Sequence, residues 1–172
     1  MKLRKLILSF ATVAIVAALC VFAFNAQAKE SDEAAIKALE ANIATSAQAK
    51  DVDAIMKNYV PDETLVVFDV IPPRQYVGAD AFKKDWQGFL DGFNGPITFE
   101  NSDMQVVADG KLGYVHYIQH VSGSGKDGKP IEITTRITDV LRKTRGKWVI
   151  VHEHVSVPVD VATGKADLSS KP

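Results

Sequence analysis

Apolar side chains recur along this chain with three different rhythms. The first is unbroken: Leu6 to Phe24 is an apolar run behind Lys2, Arg4 and Lys5. From Ser31 to Lys50 the spacing becomes helical, with Ile36, Leu39 and Ile43 forming a stripe and Ser31 at the N-cap position. A second short helix is predicted from Asp51, carrying Val52, Ile55, Met56 and Tyr59 on one side until Pro61 stops it. Thr64 to Val70 is rich in β-branched residues and reads as a strand closed by Pro72-Pro73. Gly78 to Phe93 returns to the helical period, with Phe82, Trp86, Phe89 and Leu90 spaced to face a core.

Beyond Gly95-Pro96 the period shortens to two. Strands are predicted over Ile97–Ala108, Leu112–Ser122, Ile131–Lys143 and Lys147–Val157, joined by Asp109-Gly110, the Gly123–Gly128 loop and Arg145-Gly146. Successive strands with short Gly-containing turns make an antiparallel meander. Helices first and sheet second is an α+β arrangement. On strict alternation the last strand puts Trp148, Ile150, His152, His154 and Ser156 on one face and the valines on the other.

The N-terminal run changes the picture of where the domain starts. Its basic flank, apolar stretch and Ala26-Gln27-Ala28 site read as a signal peptide over residues 1–28, with an uncleaved anchor as the alternative, and Cys20 belongs to the discarded part. The expectation is a periplasmic or secreted protein with a domain over 29–160, a polar, frayed tail over 161–172, and no membrane association once the signal is removed. Cleavage takes the formal net charge from −1 to −4, because the signal carries three of the 20 Lys and Arg and none of the 21 Asp and Glu. The mature chain keeps no cysteine, so packing alone must hold it. A mildly acidic chain without basic patches excludes nucleic acid as the expected partner.

Candidate chemistry concentrates in the second half. All four histidines, His116, His120, His152 and His154, fall on strands expected to be neighbours. Such imidazoles serve as hydrogen-bonded structural residues, as proton carriers in a metal-free pocket, or as metal ligands. Arg136, in the middle of a strand, needs a negative group. That group is either internal, with Asp69, Asp139 or Glu153 in reach, or an anionic ligand. Asp69 follows Val66, Val67 and Phe68 and becomes a desolvated base if it faces a pocket, or a partner of Arg136 if it does not. Tyr59, Tyr76 and Trp86 act either as packing between helix and sheet or as an aromatic wall.

Tyr59-Val60-Pro61-Asp62, Phe68-Asp69-Val70, Pro72-Pro73, Tyr76-Val77-Gly78, Trp86, Arg136-Ile137-Thr138-Asp139-Val140, Gly146-Lys147-Trp148 and His152-Glu153-His154-Val155-Ser156 stand in one order over about 31–160. In that order they resemble the SnoaL-like branch of the nuclear transport factor 2-like superfamily. The resemblance implies an α+β cone in which a curved sheet wraps over helices around a pocket, with dimers made through the outer sheet face. It does not imply one activity, since relatives include ketosteroid isomerases, polyketide cyclases, dehydratases and a kinase association domain.

The expectation for function is therefore a small-molecule pocket, with acid–base isomerase or lyase chemistry on an apolar or anionic substrate. Asp69, His116 and His154 are the catalytic candidates, and Tyr59, Tyr76, Trp86, His120, Arg136 and His152 the pocket candidates. No cofactor or metal is expected, and the partners are a small ligand and a second copy of the chain. The alternative is a non-catalytic ligand-binding or dimeric assembly module of the cell envelope.

Overall fold

The computed structural model describes residues 31–170, so the signal-peptide reading lies outside the described residues. Helix α1 runs through residues 31–48, and α2 is a single turn and a half, Val52–Met56, capped by Asp51, whose side chain accepts from the Ala54 N–H. Strands β1 (Val66–Phe68) and β2 (Tyr76–Val77) precede α3 (Ala79–Asp91). The long strands follow as β3 (Phe93–Asp109), β4 (Leu112–Gly125), β5 (Pro130–Thr144) and β6 (Lys147–Ser156). They form one sheet in the order β2-β1-β6-β5-β4-β3, antiparallel throughout except that β1 runs parallel to β6.

The helices cover one face of this sheet. Ile36, Leu39, Ile43 and Ala47 of α1 are buried, with Glu40 in the same stripe, and they meet the inward residues Val115, Ile137, Leu141, Trp148 and Ile150 in one core. Gly113 is required where α1 crosses β4: a Cβ there would sit 2.9 Å from the Val107 carbonyl oxygen and 3.0 Å from Ile36 Cδ1. The Trp148 indole closes the same end by donating from Nε1 to Asp32 Oδ1 at 3.1 Å.

Strand β6 departs from strict alternation. Val140 pairs with His152 and Leu141 with Ile150, so Val151 has no partner and forms a bulge. One extra residue reverses the parity of every side chain beyond it. Trp148 and Ile150 point inward as expected, but after the bulge Glu153 is buried and His154 exposed. The expected common face of Trp148, Ile150, His152, His154 and Ser156 is thus divided at Val151. Glu153 lands directly opposite Asp139 of β5, and both face the core.

The segment after β6 is more ordered than its composition suggests. Val159–Asp160 (β7) and Lys165–Ala166 (β8) make a small hairpin, and the Leu168 carbonyl accepts from the Thr134 N–H at 2.8 Å. That N–H lies on β5 past the point where β6 ends, so the tail satisfies an edge donor that would otherwise be left to water. Among the described residues no helix is long and apolar enough to cross a membrane.

Candidate functional site

Helix α3 spaces Phe82, Asp85, Trp86 and Phe89 at i, i+3, i+4 and i+7, which sets all four on one face. That face does not close fully on the sheet. Between them lies a cavity of about 140 Å³, lined by these four residues, by the segment just after β1, and by inward residues of the four long strands. Part of its wall is aromatic and the rest mostly aliphatic: Trp86 stands edge-on to Phe82 (6.1 Å between ring centres) and Phe89 (6.0 Å), Phe99 of β3 lies 6.2 Å from Trp86, and Val121, Ile133, Ile137 and Val155 complete the apolar lining. The Trp86 Nε1–H is buried and meets no acceptor among the described residues.

The ionisable groups of the cavity are all acids. Asp69 comes from the end of β1, Asp85 from α3 and Glu153 from β6, and no Lys, Arg or His lines it. Burial pushes the Asp69 carboxyl up to about 6. The Val70 N–H, which donates to Asp69 Oδ1, opposes this, while the charge of Asp85 and a hydrogen bond shared with it add to the rise. Burial likewise drives the Tyr76 hydroxyl upward, with Asp85 and Asp69 adding to it.

Glu153 connects the cavity to a second acid group deeper in the core. Its Oε2 accepts a 2.5 Å hydrogen bond from the Tyr59 hydroxyl. Burial raises Glu153 to about 7; the Tyr59 bond opposes this, and the charges of Asp69 and Asp85 reinforce it. Opposite it, Asp139 is fully buried and its two oxygens accept no hydrogen bond from the described residues. Burial first, and the charges of Glu40 and Glu153 after it, hold Asp139 far above the usual carboxylate range. Glu40 is pushed to about 8 by burial and by Glu153, against the Tyr117 hydroxyl that donates to its Oε2 at 3.2 Å. Tyr117 has one proton to give, and Asp139, also near that hydroxyl, is left without it. Three buried carboxyls have no cation within ion-pair distance among the described residues. They stay buried by remaining largely protonated.

The sequence-derived candidates separate accordingly. Asp69 and Trp86 line the cavity, and Tyr59 stands behind it through Glu153. Tyr76 packs against Phe82, 6.2 Å away, beside the cavity rather than in its lining. The four histidines and Arg136 belong to the outer sheet face. His116 is exposed and stacked on Tyr114, His120 meets Thr134 Oγ1 at 3.2 Å, and His154 stands edge-on to Phe68. His152 Nδ1 donates to the Val66 carbonyl at 2.8 Å, tying β6 to β1. Arg136 is exposed and makes no ion pair among the described residues. Neither it nor any histidine reaches the cavity, and no cluster of metal-ligating side chains occurs among the described residues.

Asp85, Glu40, Asp139, Glu153 and Tyr117 form the site that sequence reasoning left out or placed elsewhere. Asp85 was signalled by its i+3 spacing from Phe82, Glu40 by its place between Ile36 and Ile43, and Asp139 by alternation between Ile137 and Leu141.

A curved sheet over three helices, with a largely apolar pocket between them, defines the class of nuclear transport factor 2-like pocket proteins. The sequence matches the SnoaL-like domain over residues 36–160, and the chain belongs to that family. The fold is similar to that of a nuclear transport factor 2-like protein of unknown function from Pseudomonas putida, with 29% identity over 83% of this chain and 98% of that one, TM-score 0.74. It is also similar to a candidate scytalone dehydratase from Novosphingobium aromaticivorans, with 15% identity over 75% of this chain and 85% of that one, TM-score 0.66. A candidate dehydratase from Streptomyces avermitilis shares 17% identity over 74% of this chain and 97% of that one, TM-score 0.64. No protein of curated function matches the sequence.

Proposed function

We propose that the cavity binds a small, largely apolar molecule and that the Asp69–Asp85 pair exchanges a proton with it, as in an isomerase or lyase. The observation that carries this is the position of the pair: Asp69 and Asp85 both line the wall of a largely apolar cavity that, among the described residues, no Lys, Arg or His lines. An ionised carboxylate in such a place is a stronger base than one in water, and its protonated neighbour is an acid ready to return the proton. The Trp86 N–H, which has no acceptor in the protein, suits an oxygen of the ligand on which charge develops. The dehydratase names of two structural neighbours agree with this chemistry without assigning it.

A second reading, a non-catalytic binding or assembly module, is favoured by the outer sheet face. Leu112 and Tyr114 are exposed there beside His116, which suits the face to a second copy of the chain. In either reading the domain works after export, on the strength of the N-terminal sequence.

The role of Asp69 has a direct test in a carbon-13 titration of the aspartate carboxyls. Asp69 is expected to titrate near pH 6, above the ordinary aspartate range. Asp85→Asn should bring Asp69 down toward the ordinary carboxylate range. Titration of Asp69 at the ordinary aspartate value would remove it as the base.

A further inference from the structure

The sign of the cavity's charge has a consequence for what it can hold. A pocket that holds a permanent anion such as a carboxylate is commonly served by a cation, and here the cations lie elsewhere: Arg136 and every histidine are on the opposite face of the sheet. Glu153 is more than nine-tenths buried, yet it lines the cavity. Its Oε2 is held by Tyr59, and its Oε1 accepts from no donor among the described residues. Asp69, from the end of the strand beside Glu153, and Asp85 of α3 add two more carboxyls to the lining, and Trp86, Phe82, Phe89 and Phe99 add ring surfaces. Carboxylates beside desolvated aromatic rings are the arrangement that recognises an alkylammonium group, through Coulomb attraction and the negative faces of the rings.

From these features we infer that the cavity selects a small organic ammonium cation over a neutral or anionic molecule of the same shape. The inference rests on the reading of this cavity as a ligand site and specifies the ligand class. It also explains how the acids tolerate one another: the bound cation takes the place of protons that otherwise keep them neutral. Binding is then linked to pH. Around Asp69 stand Asp85 and Tyr76, and around Glu153 stand Tyr59, Asp139 and Glu40; all are acids, and each is raised or drives its neighbours' values upward. With Asp69 near 6 and Glu153 near 7, both are ionised at pH 8 and largely protonated at pH 5. The cation should bind tightly at the first pH and weakly at the second.

The test uses three probes of one shape: choline, its neutral isostere 3,3-dimethyl-1-butanol, and the anion 3,3-dimethylbutanoate. Choline carries a fixed charge, so any pH dependence belongs to the protein. Calorimetric titration of the full domain at pH 8 is expected to show choline binding at least about tenfold more tightly than the alcohol, with the anion weakest. That advantage should shrink at pH 5 and in Asp85→Asn. Equal or tighter binding of the alcohol or the anion overturns the cation inference and leaves the cavity standing as a ligand site. Binding of none of the three removes both.

Discussion

The melting temperature of the domain is expected to fall, not rise, as the pH is taken from 5 to 8. Carboxyl groups that are ionised and paired in a folded protein stabilise it more as pH rises, whereas Glu40 and Glu153 are buried without cations and raised to about 8 and about 7. A group whose folded value lies above its unfolded value contributes stability that is fully present below the unfolded value, and that stability is lost as pH climbs through the folded one. The window here opens near 4.5, the ordinary glutamate value, and closes near 8. Each such group removes about 1.4 kcal/mol per pH unit inside its window. Glu40 alone therefore accounts for roughly 5 kcal/mol, and because it shares protons with Glu153 and Asp139 the joint loss is smaller than the separate losses added together. The expected shift in melting temperature is on the order of 10 °C. Asp139→Asn removes one acid from the cluster while keeping its shape, so it should raise the melting temperature at pH 8 and flatten the profile. A profile that is flat or rises between pH 5 and 8 would mean that cations or water neutralise these groups after all.

The second large effect is expected at Trp148. Its indole is buried in the shared core of α1, β4 and β6, and its Nε1–H holds Asp32, which Lys143 also meets at 2.5 Å. Trp148→Ala should cost about 3–5 kcal/mol, because the cavity left behind lies between elements that cannot collapse onto it and the Asp32 contact is lost with the ring. His154 is only six residues away on the same strand but beyond the bulge. It is exposed, and His154→Ala should stay within about 0.5 kcal/mol. Arg136→Met should be equally mild, since no carboxylate is stranded by it. Chemical denaturation of the three variants reads these differences. A large loss in Arg136→Met would restore a buried ion pair on β5, and a large loss in His154→Ala would place that ring in the core.

How much of this was legible in the chain depended on parity. Where alternation runs undisturbed, the pattern places side chains correctly: the α3 stripe led to the aromatic wall, and the meander from Gly95 onward is the observed sheet. The site itself was displaced by one residue. Val151 is apolar like its neighbours, and nothing in Val149-Ile150-Val151 marks which of them will lack a partner, because the bulge is set by how β5 and β6 register against each other at a distance. Reading through it kept His152 and His154 on the face of Trp148 and Ile150 and set Glu153 on the other. Glu40 and Asp139 were visible as polar residues on apolar stripes. A lone acid at such a position usually implies a nearby cation, and only the three-dimensional structure shows that their neighbours are one another. The resemblance supplied the cone and left its chemistry open, as a shared fold does.

The central claim is that the Asp69–Asp85 pair moves protons on a molecule held in the aromatic cavity, and the exchange of a carbon-bound proton tests it most directly. Acetophenone is small and apolar, and deuterium incorporation at its methyl group in heavy water reports removal of a proton from carbon without the natural substrate being known. The account predicts incorporation faster with the protein than with an equal concentration of acetate, reduced by roughly 10²-fold or more in Asp69→Asn, and unchanged in His154→Ala and Arg136→Met. A rate no greater than that of acetate, or one that survives Asp69→Asn, would contradict it.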